Sequence, residues 1–222
     1  MRFMIALVLA SSMSLVVLAQ QRFDVKVRED MFAGFDGDTA AFDRAMKLIA
    51  EALSADPNHA EALIWRGDGQ LFLSGQAFQR GEISEGEALA AQGMADMERA
   101  VSLAPTDIAV LTPRATGLMP FARAIRPFNR PEADRLTRIA VSDFEFVVAA
   151  SAANWSNLKE HGRGELLGAL ADGWLQLGAV AKANVYLDRM SAELPGTPYA
   201  RNAVLRRADP EARAALTCLG CH

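Results

Sequence analysis

Cysteine, histidine and aromatic residues are scarce in this chain of 222 residues. It has only two cysteines and three histidines, and aromatic side chains make up 7% of the sequence. Two cysteines cannot provide a disulfide scaffold for a chain of this length, so packing must stabilise the fold. Hydrophobic residues account for 51% of the chain and charged residues for 23%, a composition typical of a globular protein with a real core.

An excess of positive charge is also missing. The formal net charge is −4, whereas general nucleic-acid binding usually needs a basic stripe. Alanine is abundant and β-branched residues are few, which favours helix. No catalytic triad, phosphate-binding loop or supported pair of carboxylates is recognisable. We therefore predict an all-α protein that is not an enzyme and binds no nucleic acid.

Long apolar runs are absent except at the N-terminus. Arg2 precedes the uncharged segment FMIALVLASSMSLVVL, and small residues up to Ala19 offer a cleavage site before Gln20. This pattern predicts a signal peptide over 1–19, export to the periplasm and no membrane span once the signal is removed. The alternative is a retained anchor, because the run is only just short of a membrane-spanning length.

A repeated spacing runs along the rest of the chain. The segments ALSADPN, AVSLAPTD and MSAELPG end in a similar way, and each proline follows a small residue by twelve positions. The three pairs are Ala45 with Pro57, Gly93 with Pro105, and Ala183 with Pro195. This ladder resembles the tetratricopeptide repeat (TPR) family, whose repeats are helical hairpins of ~34 residues. The resemblance implies a helical-hairpin solenoid over 20–200 with a concave surface for a protein partner.

Two zones depart from the repeat. About fourteen extra residues between Gly67 and Gly93 should lengthen one helix pair or its turn. Residues 108–162 keep helical periodicity but lose the ladder, so we expect a divergent helix pair there. Four prolines should break its first part into short pieces, and the last of them should start one good helix: Pro113, Pro120, Pro127 and Pro131.

The last segment, 201–222, is predicted to be a short helix followed by a tail. Asp209 is a suitable N-cap, Pro210 suits the first turn and Glu211 favours the positive end of a helix. These residues predict a helix of two to three turns through DPEARAALTC into Cys218.

The chain's only cysteines then form a C-x-x-C-H motif with Cys218, Cys221 and His222. This is the sequence signature of c-type haem attachment, in which both thiols bind the porphyrin covalently and the histidine becomes the proximal iron ligand. Haem is attached outside the cytoplasmic membrane, where the signal peptide would send the chain. The alternatives are a disulfide, or a zinc or copper site for which no fourth ligand is obvious. A thioredoxin-like redox pair is disfavoured because no βαβ pattern surrounds the cysteines.

The motif specifies only one axial ligand of the iron. His161 and His59 are the other histidines, and His161 is the better candidate for a distal ligand because it precedes the last repeat. The sequence also contains a local cluster of basic residues. These side chains can bind haem propionates or an acidic partner, or they can form an ordinary solvated surface. The cluster comprises Arg114, Arg123, Arg126, Arg130, Arg135 and Arg138, with Arg206 and Arg207 near the tail.

Three functional hypotheses follow. The first is an exported TPR protein that carries one haem c and exchanges electrons with a redox protein or envelope complex docked on the solenoid. The second is a haem-free periplasmic scaffold or assembly factor whose terminal cysteines form a disulfide. The third is a haem-delivery or sensing role in which an open iron site binds a small gas.

Overall fold

The computed structural model describes residues 22–217, and every regular element in that part is a helix. The α-helices are α1 (Phe23–Phe35), α2 (Thr39–Ala55), α3 (Ala60–Gln79), α4 (Ile83–Leu103), α5 (Ile108–Ile125), α6 (Arg130–Ala150), α7 (Glu160–Gln176), α8 (Val180–Glu193) and α9 (Pro198–Ala208). A short 3₁₀ helix, Ala152–Asn157, precedes α7. The predicted all-α class is confirmed. The predicted signal peptide (1–19) and the motif residues Cys218, Cys221 and His222 lie outside the described residues.

The helices form consecutive hairpins that stack in a solenoid-like array. α1 packs on α2, α3 on α4, α5 on α6 and α7 on α8, and the first helices of neighbouring hairpins also touch, as α1 does with α3 and α3 with α5. One hydrophobic core runs from α1 through α6 and reaches Leu170 of α7. A second core joins α7, α8 and α9, with Leu187 and Met190 at its centre. Stacking is what buries the apolar face that a single hairpin would expose.

The predicted helix ends are confirmed. α2, α4 and α8 each end two residues before the proline expected to stop them, namely Pro57, Pro105 and Pro195. A proline has no backbone N–H and its ring collides with the preceding turn, so the helix cannot continue through it. This effect is local, which is why the sequence alone predicts it.

The expected fragmentation of residues 108–125 is wrong. α5 is one continuous helix with Pro113 and Pro120 inside it. An internal proline costs roughly 3 kcal/mol in a helix. Here the helix is held from both sides, because Ala115 and Leu118 are buried in the core and Arg114 forms a bidentate pair with Asp143 of α6 at 2.6 Å. The second helix of this pair, α6, begins at Arg130, one residue before the predicted start.

The extra residues of the second hairpin lengthen its helices instead of its turn. α3 has 20 residues and α4 has 21, and their connection turns at Gly81 with a φ of 79°. The helices approach closely where Gly67 faces Gly93. A Cβ atom on Gly67 would lie 2.7 Å from the carbonyl oxygen of Gly93, and one on Gly93 would lie 2.8 Å from that of Gly67. Neither position therefore has room for a side chain.

A carboxyl group is buried where α3 crosses α5. Asp68 is 4% exposed, its Oδ2 has no hydrogen-bond partner, and a Cβ on Gly117 of α5 would overlap its Oδ1. Burial removes water from the charged form and raises the pKa of Asp68 to about 7. The folded protein therefore keeps this proton up to near-neutral pH.

The close approach of Gly67 and Gly93 predicts the effect of adding a methyl group. Gly67→Ala should destabilise the protein by about 1–3 kcal/mol, because the helix backbones must separate. Gly75→Ala on the same helix is the control, since no atom lies within 4 Å of the added carbon. There the better helix propensity of alanine should add up to about 1 kcal/mol. Urea denaturation measures both, and equal stabilities of the two variants would contradict the packing argument.

The buried carboxyl of Asp68 predicts a pH-dependent stability. Because its folded pKa is raised above the unfolded value, the folded state holds a proton that the unfolded chain releases between about pH 4 and pH 7. Wild-type stability should therefore fall across that window, by up to about 4 kcal/mol from this group, and the fall should cease above it. Asp68→Asn should lose this dependence and be more stable than wild type at pH 8, as measured by urea denaturation. The exposed Asp43→Asn is the control, and parallel pH curves for wild type and Asp68→Asn would refute the assignment.

Candidate functional site

The chain turns back on itself after α9, and the helix predicted from Asp209 to Cys218 does not form over the described residues. α9 ends at Ala208, and Asp209 is its extended C-cap with φ −137° and ψ 104°. The Asp209 side chain accepts a hydrogen bond from the Glu211 N–H at 3.0 Å, which closes a single turn. The prediction was wrong because an aspartate before a proline caps a single turn as readily as it caps a helix. The predicted boundary between the solenoid (20–200) and the C-terminal segment (201–222) also falls inside α9.

Residues 212–217 lie along α9 and form neither a helix nor a β-strand; the name tail strand is used here only for this stretch of chain. Arg206 donates a hydrogen bond to the Ala212 carbonyl at 3.2 Å, and Asn202 donates one to the Ala215 carbonyl at 2.8 Å. The tail strand therefore runs toward the N-terminal end of α9. Its Leu216 is 3% exposed and belongs to the second core. Burying one leucine contributes about 2 kcal/mol, so the tail strand is docked and not merely adjacent.

The docking depends on a glycine of α7. A Cβ on Gly168 would overlap the carbonyl oxygen of Leu216 and lie 3.3 Å from the Thr217 methyl group. The backbone of the tail strand thus rests directly on the α7 backbone. Thr217 is the last described residue, and Cys218 of the predicted haem motif follows it in the sequence.

A second glycine on the same face of α7 receives a tyrosine. Gly164 lies one turn before Gly168, and a Cβ there would be 2.6 Å from three ring atoms of Tyr199. The ring of Tyr199 therefore packs on the bare helix backbone. Its hydroxyl donates a hydrogen bond to the Glu165 carboxylate at 2.7 Å and lies 2.9 Å from Nδ1 of His161. His161, Tyr199 and Glu165 therefore form one hydrogen-bonded group that joins α7 to α9. The His161 side chain is 49% exposed.

The structure separates the two candidate distal histidines. His161 and the docking glycine Gly168 lie on one face of α7, two turns or about 10 Å apart. His59 lies at the start of α3, where its Nδ1 accepts a hydrogen bond from the Ala62 N–H at 3.3 Å and its ring tilts against Phe23. His59 therefore caps a helix near the other end of the array. Sequence reasoning missed Tyr199 and Glu165, and the only local signal for them was the glycine spacing in α7.

The arginine cluster is largely neutralised within the chain. Five of the six arginines between 114 and 138 form ion pairs: Arg114 with Asp143, Arg123 with Asp172, Arg126 and Arg130 with Asp134, and Arg135 with Glu132. Near the tail, Arg207 pairs with Asp188. Arg114, Arg123 and Arg126 each pair with an acidic residue of another helix, whereas Arg130 and Arg135 pair within α6. A role for these side chains toward haem propionates or an acidic partner stays a prediction.

One carboxylate connects the tail strand to the solenoid. Asp172 of α7 lies 2.6 Å from Arg123 of α5 and 3.7 Å from Arg206 of α9. Arg206 also holds the Ala212 carbonyl. The position of the tail strand is thus tied to three helices through one acidic residue.

A separate cavity of about 190 Å³ lies between α1, α3 and α5. Arg22 and Arg28 both pair with Asp24 at its edge, and the inner wall includes Trp65 and Asp68. The indole nitrogen of Trp65 is buried without a hydrogen-bond partner. This cavity shares no lining residue with the tail strand or α7, so the two regions are distinct.

Comparison with known proteins gives no family. No family model matches the chain, and neither the curated proteins nor the solved structures include a significant match. Over residues 22–217 none of the helices has the length and apolarity to cross a membrane. In the same range, no group of three or more histidine, cysteine, aspartate and glutamate side chains is arranged to hold a metal ion.

The contact at Gly168 predicts that a methyl group displaces the tail strand. Gly168→Ala should expose Leu216 and raise the amide hydrogen-exchange rates of residues 212–217, while α7 itself stays folded because alanine favours helix. Gly162→Ala on the same helix is the control, since its added carbon meets no atom within 4 Å. Equal protection of the tail strand in both variants would show that Gly168 does not determine the docking.

Proposed function

We propose that this chain is an exported helical-repeat protein that carries one covalently attached c-type haem at its C-terminal motif and exchanges electrons with a docked redox protein. The observation that carries the proposal is the C-x-x-C-H sequence at 218–222, which uses both cysteines of the chain. Cys218 and Cys221 would hold the porphyrin through thioethers, and His222 would ligate the iron. A haem held in this way supplies one-electron redox chemistry.

The described residues support an attachment point next to α7. The tail strand is anchored by Leu216, Asn202 and Arg206, so the residue that precedes Cys218 has a defined position on α7. The protein's contribution would be to fix where the haem is held and which side chains face it.

The solenoid supports the second half of the proposal. Stacked helical hairpins bury their core along the array and leave an extended surface, which repeat proteins use to bind other proteins. The proline ladder resembles TPR repeats, and the helices end where that ladder predicts. We infer a protein partner on this surface, with electron exchange at the end of the array that bears α7 and the tail strand.

A haem-free scaffold is the competing function. An exported chain with two cysteines three positions apart can form a disulfide in an oxidising compartment. In that case the docked tail strand would present a cysteine loop or a partner-anchoring peptide. The two functions differ in the covalent state of the same two sulfur atoms.

The covalent state of Cys218 and Cys221 tests the proposal. The protein is expressed with its leader in a host that has the cytochrome c maturation machinery, then purified and denatured. We expect the intact mass to increase by one haem, the denatured band to keep its haem absorbance, and both properties to disappear in Cys218→Ala/Cys221→Ala.

A known c-type cytochrome expressed in the same cells controls for maturation. If the control gains haem and this protein shows only the loss of two hydrogens from a disulfide, the scaffold function is correct. If both thiols are free and no haem is bound, neither function stands. Host cells without the maturation machinery should give haem-free protein in either case.

A further inference from the structure

The cavity between α1, α3 and α5 has polar groups in its wall that the described part of the chain does not pair. Trp65 and Asp68 lie one turn apart on α3, line the cavity, and are 2% and 4% exposed. Within residues 22–217, neither the indole nitrogen of Trp65 nor Oδ2 of Asp68 has a hydrogen-bond partner. A buried donor and a buried acceptor left unpaired destabilise a fold, so a ligand that pairs with both recovers that loss.

We propose that this cavity binds a free α-amino acid with an aromatic or branched apolar side chain. The ammonium group of the amino acid binds Asp68 and the carbonyl of Ala109. Its carboxylate binds the N–H of Trp65 and faces the arginines at the cavity edge. The inference goes beyond the proposed electron transfer and does not depend on the haem, because the cavity shares no lining residue with α7 or the tail strand.

The acceptors in the wall carry the first step. Ala109 and Pro113 of α5 are buried and line the cavity beside Asp68. Because proline has no N–H, the Ala109 carbonyl lacks the donor that a helix supplies four residues later. An ammonium group has three N–H donors and can pair with this carbonyl and with the Asp68 carboxylate. Its positive charge also favours the ionised form of Asp68, which burial alone disfavours.

The donors carry the second step. Arg22 and Arg28 are half-exposed at the cavity edge and share Asp24, with nitrogen–oxygen distances of 3.1 and 3.8 Å. Two guanidinium groups on one carboxylate leave one positive charge in excess at the edge, which suits a second carboxylate. In an α-amino acid the ammonium and the carboxylate are joined through a single carbon. They therefore match an acceptor and a donor that lie one helical turn apart, as Asp68 and Trp65 do.

The size of the cavity and its apolar wall determine the kind of side chain. The cavity has a volume of about 190 Å³. An apolar cavity of about 150 Å³ holds one benzene molecule, so one aromatic ring or branched aliphatic group can fit. Phe32 and Ile108 supply exposed apolar surface, and the Phe32 ring meets the Trp65 ring edge-on with centroids 6.0 Å apart. Burial of a benzyl or isobutyl group against these side chains is favourable.

Calorimetric titration of the full chain with matched compounds tests the proposal. At pH 8, above the Asp68 pKa of about 7, we expect L-phenylalanine and L-leucine to bind. 3-Phenylpropionate lacks the ammonium group and 2-phenylethylamine lacks the carboxylate. Each should bind about 10–100-fold more weakly than L-phenylalanine, because the hydrogen bonds of one charged group are lost.

Four variants locate the bound amino acid. Asp68→Asn removes the charge, and Trp65→Phe removes the N–H but keeps a ring, so each should weaken L-phenylalanine binding by about 10-fold or more. Asp43→Asn and Trp174→Phe make the same changes outside the cavity and should bind as wild type does. Urea denaturation without ligand shows that each variant is folded. Added L-phenylalanine should raise the urea midpoint of wild type and of these two controls more than that of the cavity variants.

Several results would overturn the assignment. If neither amino acid gives heat or stabilisation, the cavity holds water only. Equal affinity for 3-phenylpropionate or 2-phenylethylamine would show a site for one charge and refute the amino acid. Unchanged affinity in either Asp68→Asn or Trp65→Phe would place the binding elsewhere. Haem attachment is read separately from the intact mass, so failure of this inference leaves the proposed function standing.

Discussion

The C-terminal arrangement depends on the absence of side chains on one face of α7. Gly168 lets the tail strand rest on the helix backbone, and Gly164 lets the ring of Tyr199 do so one turn earlier. A methyl group at either position would hold α9 and the tail strand away from α7. With that separation the hydrogen bonds of Tyr199 would be lost and Leu216 would leave the second core. The position of the residues that precede the cysteine motif, and the orientation of His161, therefore share one steric cause.

The same constraint acts at the other hairpins. Gly67 and Gly93 allow α3 and α4 to approach, and Gly117 accommodates the carboxyl of Asp68 where α3 meets α5. Glycine in a helix interior costs about 1 kcal/mol relative to alanine. The close packing that glycine permits offsets that cost. In the second hairpin the two helices, of 20 and 21 residues, pack against each other. Small residues thus determine which helices touch, and the larger apolar residues fill what remains.

The sequence predicted helix ends correctly where a nearby residue determines them, and incorrectly where contacts with other helices determine them. Prolines stop α2, α4 and α8 because their effect acts within one turn of the chain. Pro113 and Pro120 do not break α5, because its buried face and the Arg114–Asp143 pair hold the helix together. Asp209 and Pro210 formed a convincing helix start, yet the same residues also make a turn. The segment after them has one large apolar side chain, Leu216, whose burial in the second core holds the segment in an irregular path instead of a helix.

The C-x-x-C-H motif could be recognised from five residues, but the residues around it could not be predicted. C-x-x-C-H combines attachment and one iron ligand on a short peptide, so it carries no information about the second ligand. The surroundings of His161 could not be predicted from the sequence, because Tyr199 lies 38 residues further along the chain and meets it through the packing of α9 on α7. If the proposed haem is present, the solenoid would therefore do more than dock a partner: its fourth hairpin would also hold the segment that leads into the attachment motif.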